Sequence, residues 1–294
     1  MLVTITIPAY NEEKTLPRVL DEIKRVMSKT KYKYKILVWD DGSSDKTSKV
    51  AKEKGAIVGR STRNRGLADT FRLEMELCLK EKADIIIHTD ADGQYPAEFI
   101  PQMIKKVEQG FDLVLGSRFQ GNNYSGPLMK RFGNIAFSKA MSSLTGTKIT
   151  DTTTGFRAFT SDVAKIQIIN TFTYTHEQLI KASRQKFRIG EISITTRKTR
   201  ESRLFKSPIR YAIKSWINIF RIYRDYDPLK FFGVGGLGLF IIGFLIGIYF
   251  LILQFTTGIE GHLGLFSLMV VLLFTGLQII LFGFLADMIK GKNE

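Results

Sequence analysis

Along the first two-thirds of the chain, short apolar runs alternate with segments whose apolar residues recur every three or four positions. Val3-Thr-Ile-Thr-Ile7 alternates with a period of two, the pattern of a strand with one face against a core. Pro8-Ala-Tyr-Asn-Glu12 ends it, and Leu16, Val19, Leu20, Ile23 and Val26 then mark one face of a helix over about residues 15–28. Further strands are expected at residues 35–39, 56–58, 85–89 and 112–116, with helices ending near residue 54 and spanning about 67–81 and 97–109. Strands and helices that alternate through short connections predict an α/β domain with a parallel sheet covered on both faces. Each strand ends in polar turn residues, so the polar residues should collect along one edge.

The pattern changes after residue 119. Residues 119–130 have little periodicity and several Gly, Asn and Pro positions, the composition of a loop. Leu128, Phe132, Ile135, Ala136, Met141 and Leu144 mark a first amphipathic helix over about 128–144, with Lys130, Arg131 and Lys139 on its polar side. A second amphipathic stretch, within 206–229, interleaves Ile209, Ile213, Trp216, Ile217 and Phe220 with Arg210, Lys214, Arg221 and Arg224. Basic residues with aromatic neighbours suit a helix lying in a lipid head-group plane. Residues 231–255 and 263–286 are almost continuously apolar, each long enough to cross ~30 Å of hydrocarbon. The linker between them lacks Lys and Arg while both flanks are basic, which predicts a hairpin with both ends in the cytosol. Gly233, Gly235, Gly236, Gly238, Gly243 and Gly247 offer small-residue surfaces for packing in a homo-oligomer. The expected organisation is therefore a domain over 1–205, an interfacial helix over 206–229 and a transmembrane hairpin over 230–294.

Charge narrows the partners. The 294 residues hold 43 Lys and Arg against 28 Asp and Glu, a formal net charge of +15. Such a balance suits anionic ligands or surfaces. Nucleic acid is disfavoured because the basic residues concentrate beside the apolar runs rather than along one groove-sized face with stacking aromatics. The lone cysteine, Cys78, excludes a disulfide framework and a cysteine-cluster metal site. The chain opens directly on a strand pattern with no signal peptide, so the first domain is expected in the cytosol.

One stretch organises the candidate chemistry. The strand at Ile85-Ile-Ile87 runs into Asp90-Ala-Asp92, Gly93, Gln94 and Pro96. Along an extended backbone Asp90 and Asp92 point to the same side, roughly 7 Å apart. Two carboxylates leaving a buried strand repel each other unless a cation sits between them. A hard divalent ion carrying a diphosphate meets that need, because magnesium takes few protein carboxylates and fills its shell with substrate oxygens.

Pro8-Ala-Tyr-Asn-Glu12, Asp40-Asp-Gly-Ser-Ser-Asp45, Asn64-Arg-Gly66, Asp90-Ala-Asp-Gly-Gln94, Gly116-Ser-Arg118 and Asp151-Thr-Thr-Thr-Gly-Phe-Arg157 occur in one order and spacing. Together, over about residues 1–205, they resemble the family-2 glycosyltransferases and, more narrowly, the polyprenyl-phosphate glycosyltransferases of the dolichol-phosphate mannose synthase group. The resemblance implies a GT-A, Rossmann-like nucleotide-sugar-binding domain. It implies that Pro8, Tyr10 and Glu12 form a nucleoside pocket, and that Val38 and Asp40 hold base and ribose. Asp90, Ala91, Asp92 and Gln94 are implied at the diphosphate, with Mg2+ or Mn2+ on Asp90, Asp92 and Gln94. Taken alone, residues 40–45 also read as an ordinary turn capping the next helix through Ser43 or Ser44.

The implied reaction moves a hexose from a nucleotide-sugar, GDP-mannose or UDP-glucose, to dolichyl or undecaprenyl phosphate with inversion. An acceptor phosphate is already an anion near neutral pH, so it needs cations rather than a base. Arg118 and Arg131 are candidates, with Asp92 as the third catalytic residue. Arg197-Lys-Thr-Arg-Glu-Ser-Arg-Leu204 resembles the family's Arg-X-X-Gly-Glu-Ser-Lys-Leu segment, which places Arg197, Ser202 and Arg203 at the acceptor phosphate. Arg200 replaces the glycine and Arg203 the lysine. The alternative acceptor is a hydroxyl of a lipid-linked saccharide or glycolipid, which would need a general base. Glu177 is the residue to weigh for that role, against a structural one that anchors Arg157 or an active-site loop. His88, inside the strand before Asp90, reads as core.

Overall fold

The structure, a computed structural model, describes residues 1–119, 138–143, 145–169, 174–197, 226–256 and 261–291, with positions 217, 220, 221, 224 and 258. The chain divides into two compact units, Met1–Leu204 and Phe205–Glu294.

The first unit opens with β1 (Leu2–Ala9), α1 (Leu16–Met27), β2 (Lys33–Asp40), α2 (Thr47–Glu53), β3 (Ile57–Arg60), α3 (Leu67–Lys80) and β4 (Ile85–His88). A 3-10 turn at Ala97–Phe99 leads into α4 (Ile100–Glu108), then β5 (Leu113–Ser117). The remainder is β6 (Arg157–Thr160), α5 (Ser161–Ala164), α6 (Tyr174–Arg184) and β7 (Ile189–Ser193). Among the described residues these strands form one seven-stranded sheet in the order β3-β2-β1-β4-β6-β5-β7. The expected elements are present with ends shifted by one to three residues.

The sheet is mixed rather than all parallel. β6 lies between β4 and β5 and runs antiparallel to both, while β5 pairs parallel with β7. Six strands thus deliver their carboxyl ends to one edge, and β6 delivers its amino end to the same edge. Gly155 and the residues before it are carried there by that reversal.

Alternation along β1 sorts the two faces. Val3, Ile5 and Ile7 are fully buried in one core with Leu16, Leu20 and Ile23 of α1 and Met103, Ile104 and Val107 of α4. Each such side chain contributes roughly 1.5–3 kcal/mol by leaving water. Thr4 and Thr6 face the other way, toward α3, and are equally buried. That second face holds Phe71, Phe159 and Tyr174 together with several polar groups, among them Glu74, His88 and Arg157.

The amphipathic helix expected over 128–144 is described only at 138–143 and 145, where it is helical, and the one expected within 206–229 lies mostly outside the described residues. In the second unit, α7 (Pro228–Thr256) and α8 (Leu263–Gly291) are each 29 residues long and pack along each other. Both are long and apolar enough to cross a membrane. Their outward side chains, such as Phe244, Leu245, Leu251, Phe274 and Phe282, are more than half exposed. A helix apolar all round belongs in a core or in lipid, and here no further described layer covers it. Part of the glycine surface is consumed within the hairpin. A Cβ on Gly236 would come within 2.7 Å of the Gly276 carbonyl oxygen, and one on Gly243 within 3.0 Å of Leu272. Gly233, Gly235 and Gly238 have open space on that side.

Candidate active site

The loops after β1 and β2 are laced together before any ligand is considered. Asn11 N–H donates to Ser43 Oγ at 2.9 Å and Ser44 N–H donates to Asn11 Oδ1 at 2.9 Å. Glu12 N–H donates to Thr47 Oγ1 at 2.9 Å, and Lys46 N–H donates to Glu13 Oε2 at 3.0 Å. Asp41 accepts from the amides of Arg65 and Gly66, both at 2.9 Å, which fixes the loop after β3. Gly42 sits at φ +75, and a Cβ there would lie 2.5 Å from the Arg63 carbonyl carbon, so no side chain fits. Three separated polar motifs are thus one continuous rim, beside an open cleft of about 470 Å³ lined by Arg63, Asn64, Arg65 and Asp69.

Within that rim the expected nucleoside residues separate. Tyr10 is 42% exposed, one residue past the end of β1. Glu12 is buried, and its Oε2 accepts from Thr15 Oγ1 at 2.6 Å. Val38 is fully enclosed in the core under the sheet, two residues short of the edge, so it does not reach a ligand as expected. Asp40 is also fully buried: it accepts from Ser43 N–H at 2.8 Å and from the Ser48 hydroxyl, with Arg60 Nε at 3.6 Å. Its carboxylate is occupied in building the turn rather than open to a ribose. The capping expected of Ser43 or Ser44 is absent; Asp45 accepts from Thr47 N–H at 3.0 Å instead.

At the end of β4, Asp90 and Asp92 keep part of their surface toward solvent, Ala91 is buried, and Gln94 N–H donates to Asp92 Oδ1 at 2.9 Å. Surrounding protein desolvates Asp90 and pushes its pKa up to about 6, with Asp92 adding in the same direction and His88 and Arg118 opposing. A carboxylate pair whose charges resist each other, with an amide beside it, is a hard-oxygen donor set suited to a divalent cation that takes most ligands from a diphosphate. No group of three or more His, Cys, Asp or Glu among the described residues offers a closed metal cage. The donor chemistry present fits an open divalent-cation site, in which Asp90, Asp92 and Gln94 would be the protein ligands.

Arg118, one residue past β5, lies close enough to Asp90 for their charges to interact. Its Nε donates to Asp151 Oδ2 at 2.7 Å and its Nη2 to Asp151 Oδ1 at 3.0 Å and Thr153 Oγ1 at 2.8 Å. The Nη1 group makes no hydrogen bond to another described residue. Asp151 is fully buried, so the pair is a fixed mount rather than a surface contact. The same loop continues to Gly155, where a Cβ would lie 3.1 Å from Asp90 Oδ1. Gly155 N–H donates to the Tyr95 hydroxyl at 3.4 Å, and the Gly155 carbonyl lies 2.8 Å from His88 Nδ1. Burial pushes the Tyr95 phenol up to about 12, so it is neutral at working pH.

Arg157 corrects one expectation. It is fully buried and donates to the carbonyls of Thr154 (2.9 Å), Thr175 (2.7 Å) and Thr152 (3.0 Å) and to Gln178 Oε1 (3.1 Å). Burial lowers its pKa to about 10, which leaves it charged at neutral pH. Glu177 instead accepts from Ile169 N–H at 2.9 Å and pairs with Lys181 at 2.8 Å, so it secures the chain before residue 170. Arg197 is likewise engaged: its Nη1 and Nη2 meet Glu22 at 2.6 and 2.9 Å, and its N–H donates to the Gln94 carbonyl at 3.0 Å. This arginine ties the metal-motif loop to α1, and a phosphate would have to compete with Glu22 for it. Arg131, Ser202 and Arg203 lie outside the described residues.

Asp151 and Gly155 stand in a motif of the sequence but had no role assigned there, and Tyr95 and Glu74 were not singled out. Glu74 had a visible signal, since it falls on the Phe71–Met75–Cys78 stripe of α3, where an acid must find a buried partner. Nothing local marks Asp151 as the mate of Arg118.

Comparison with known proteins bears on the fold and the family. A dolichyl-phosphate hexose transferase from Haloferax volcanii is 29% identical over 195 residues, 66% of this chain and 82% of its own length. An undecaprenyl-phosphate 4-deoxy-4-formamido-L-arabinose transferase from Pseudomonas fluorescens is 28% identical over 293 residues, 97% of this chain and 84% of its own. Glucosyl-3-phosphoglycerate synthase from Mycobacterium tuberculosis, solved with Mn2+, UDP-glucose and phosphoglyceric acid, superposes with a TM-score of 0.58 at 18% identity, over 74% of this chain and 79% of that one, and shares the fold. The model of glycosyl transferase family 2 matches residues 4–166, and the chain, with its GT-A sheet and its carboxylate edge after β4, belongs to that family.

Proposed function

We propose that this protein transfers a hexose from a nucleotide-sugar, GDP-mannose or UDP-glucose, to a dolichyl or undecaprenyl phosphate, with inversion at the sugar. The observation that carries the reading is the mounting of Arg118. A buried carboxylate, Asp151, orients its guanidinium beside the Asp90–Gln94 edge, so a cation faces the place where a donor diphosphate would end. The Haloferax and Pseudomonas relatives, a dolichyl-phosphate and an undecaprenyl-phosphate sugar transferase, support the acceptor class.

In this mechanism Tyr10 and Pro8 hold the nucleoside at the ends of β1 and β2, and the laced loops keep that rim rigid. Asp90, Asp92 and Gln94 would hold Mg2+ or Mn2+, which would neutralise the charge gathering on the leaving diphosphate. The manganese in the Mycobacterium tuberculosis structure supports this choice of ion. Arg118, with Arg131, Ser202 and Arg203, holds the acceptor phosphate against a donor that is itself negative. The phosphate oxygen attacks the anomeric carbon from the face opposite the diphosphate, the bond from that carbon to the diphosphate oxygen breaks, the nucleoside diphosphate leaves with the electron pair, and no side chain has to remove a proton. Glu177 is structural in this scheme.

In this reading the two apolar helices, long and apolar enough to span a bilayer, cross it as a hairpin with residues 1–205 and the C-terminus on the cytosolic side and 206–229 in the interface. Gly233, Gly235 and Gly238, left open by the hairpin, suit contact between subunits.

The test is turnover of Arg118→Ala and Glu177→Gln with a labelled nucleotide-sugar panel and a polyprenyl phosphate. The arginine variant should lose roughly thirtyfold to several thousandfold, equivalent to about 2–5 kcal/mol, and the glutamine variant should retain activity. The reverse ordering means a hydroxyl acceptor and overturns the reading.

A further inference from the structure

Beneath the site, on the α3 side of the sheet, lies a chain of buried polar groups that the transfer mechanism does not use. Thr6 Oγ1 of β1 donates to Glu74 Oε1 of α3 at 2.7 Å. Glu74 Oε2 faces His88 Nε2 at 3.3 Å, and neither atom makes a hydrogen bond among the described residues. The opposite ring nitrogen, Nδ1, lies 2.8 Å from the Gly155 carbonyl and 3.4 Å from the Tyr174 hydroxyl. Glu74 and His88 are both fully buried. Phe71 packs on the imidazole at 5.3 Å between ring centres and stacks on Tyr174 at 4.1 Å.

The chemistry fixes the direction of this chain. A carbonyl oxygen only accepts, so Nδ1 must carry the proton that reaches Gly155. Glu74 facing Nε2 then sets the plane and tilt of the ring, as carboxylates do for imidazoles elsewhere. Gly155 is consequently held at both ends of its residue, at its carbonyl by His88 and at its N–H by Tyr95. Those two residues flank the Asp90–Gln94 segment itself. Four residues upstream of Gly155 stands Asp151, the mount of Arg118.

The geometry points to Glu74 and His88 as positioning residues that lock the Asp151–Gly155 loop to the end of β4 and so fix the distance between the donor edge and Arg118. They touch neither substrate. They act by holding a peptide group whose shift would move Arg118 away from the acceptor, and an error of about 1 Å in such an alignment costs on the order of a hundredfold in rate. The inference rests on the transfer reaction proposed above.

Three variants of the detergent-purified chain test it: His88→Leu removes the hydrogen bond to Gly155 and the contact with Glu74, His88→Asn keeps a donor near the Nδ1 position, and Glu74→Leu frees the ring. Hydrogen exchange is read over residues 151–157, alongside steady-state kinetics with a nucleotide-sugar and a polyprenyl phosphate. His88→Leu should speed exchange in that segment and lower kcat/KM for the acceptor by about tenfold or more, with donor affinity within about threefold of wild type. His88→Asn should recover most of both, and Glu74→Leu should fall between. If His88→Leu does not fold, Glu74→Leu against Glu74→Gln makes the same comparison, since a glutamine side chain carries both a donor and an acceptor to face Nε2. Unchanged exchange and acceptor kcat/KM in folded variants overturn the relay, as does a His88→Asn as impaired as His88→Leu. Wild-type protein inactive toward every polyprenyl phosphate, with the exchange pattern as expected, overturns the proposed function and leaves the relay standing.

Discussion

Arg118 and Asp151 meet edge to edge, Nε to Oδ2 at 2.7 Å and Nη2 to Oδ1 at 3.0 Å, across 33 residues of sequence. The carboxylate has no solvent to fall back on, so breaking the pair leaves a buried charge uncompensated. Asp151→Asn should therefore lower transfer about as far as Arg118→Ala, by roughly thirtyfold or more, with nucleotide-sugar affinity nearly intact. Arg118→Lys should not rescue, because an ammonium cannot reproduce the two-pronged contact. An Asp151→Asn enzyme turning over at the wild-type rate would falsify the mounting role.

Removal of divalent metal gives a second prediction. Asp92→Ala should abolish transfer and weaken Mn2+ binding followed by electron paramagnetic resonance, and excess chelator should mimic it in the wild-type chain. Gln94→Ala should be milder, since a neutral amide contributes less than a carboxylate to holding a hard cation. Full transfer in chelator would remove the metal from the scheme.

Topology is open to direct labelling. His262, exposed between the two apolar helices, belongs on the non-cytosolic side in the proposed hairpin. A His262→Cys protein should react with an impermeant thiol reagent in intact cells, whereas Cys78 is fully buried and should stay silent. Labelling only after permeabilisation would invert the hairpin.

The fourth prediction concerns pH. His176 is buried on α6, and burial, reinforced by the Arg157 charge, lowers its pKa to about 3. An unfolded histidine takes up its proton near pH 6.5, so between about pH 3 and 6.5 the unfolded chain binds one more proton than the folded one. Stability must then rise with pH through that window and level off above it. Lowering the pH from 6.5 to 5 should cost about 1.6 kcal/mol from this residue, and the His176→Leu protein should lack that part of the slope. Parallel unfolding curves for the two proteins across the window would contradict it.

Much of the architecture was legible in local patterns. Val3, Ile5 and Ile7 alternate, Leu16 through Val26 recur at helical spacing, and both pair in the core as their periods require. The polar edge followed from the same pattern, because each parallel strand must turn where its apolar run stops. β6 was not legible as a strand: Arg157-Ala-Phe-Thr160 is four residues long and opens with a charge. Its antiparallel direction depends on which neighbours it pairs with, and no local period encodes that.

Among the site residues the division is similar. The motifs carried Asp90, Asp92, Gln94 and Arg118 to one edge because each follows a strand end, and strand ends are set by composition. Val38 and Asp40 were expected at a ligand, but solvent access is decided by packing, and packing buries both. Arg197 was expected to hold a phosphate and meets Glu22, which lies 175 positions earlier. By itself the sequence determined the elements, their apolar faces, the edge where the carboxylates gather and the two long apolar helices, since hydrophobic period and turn chemistry act over a few residues. Only the tertiary structure decided which carboxylate mounts Arg118, why Arg157 is satisfied by carbonyls, and that Glu74 reaches Gly155 through His88. Those are pairings between groups distant in the chain, and their partners are chosen by how the sheet is ordered and how the helices cover it.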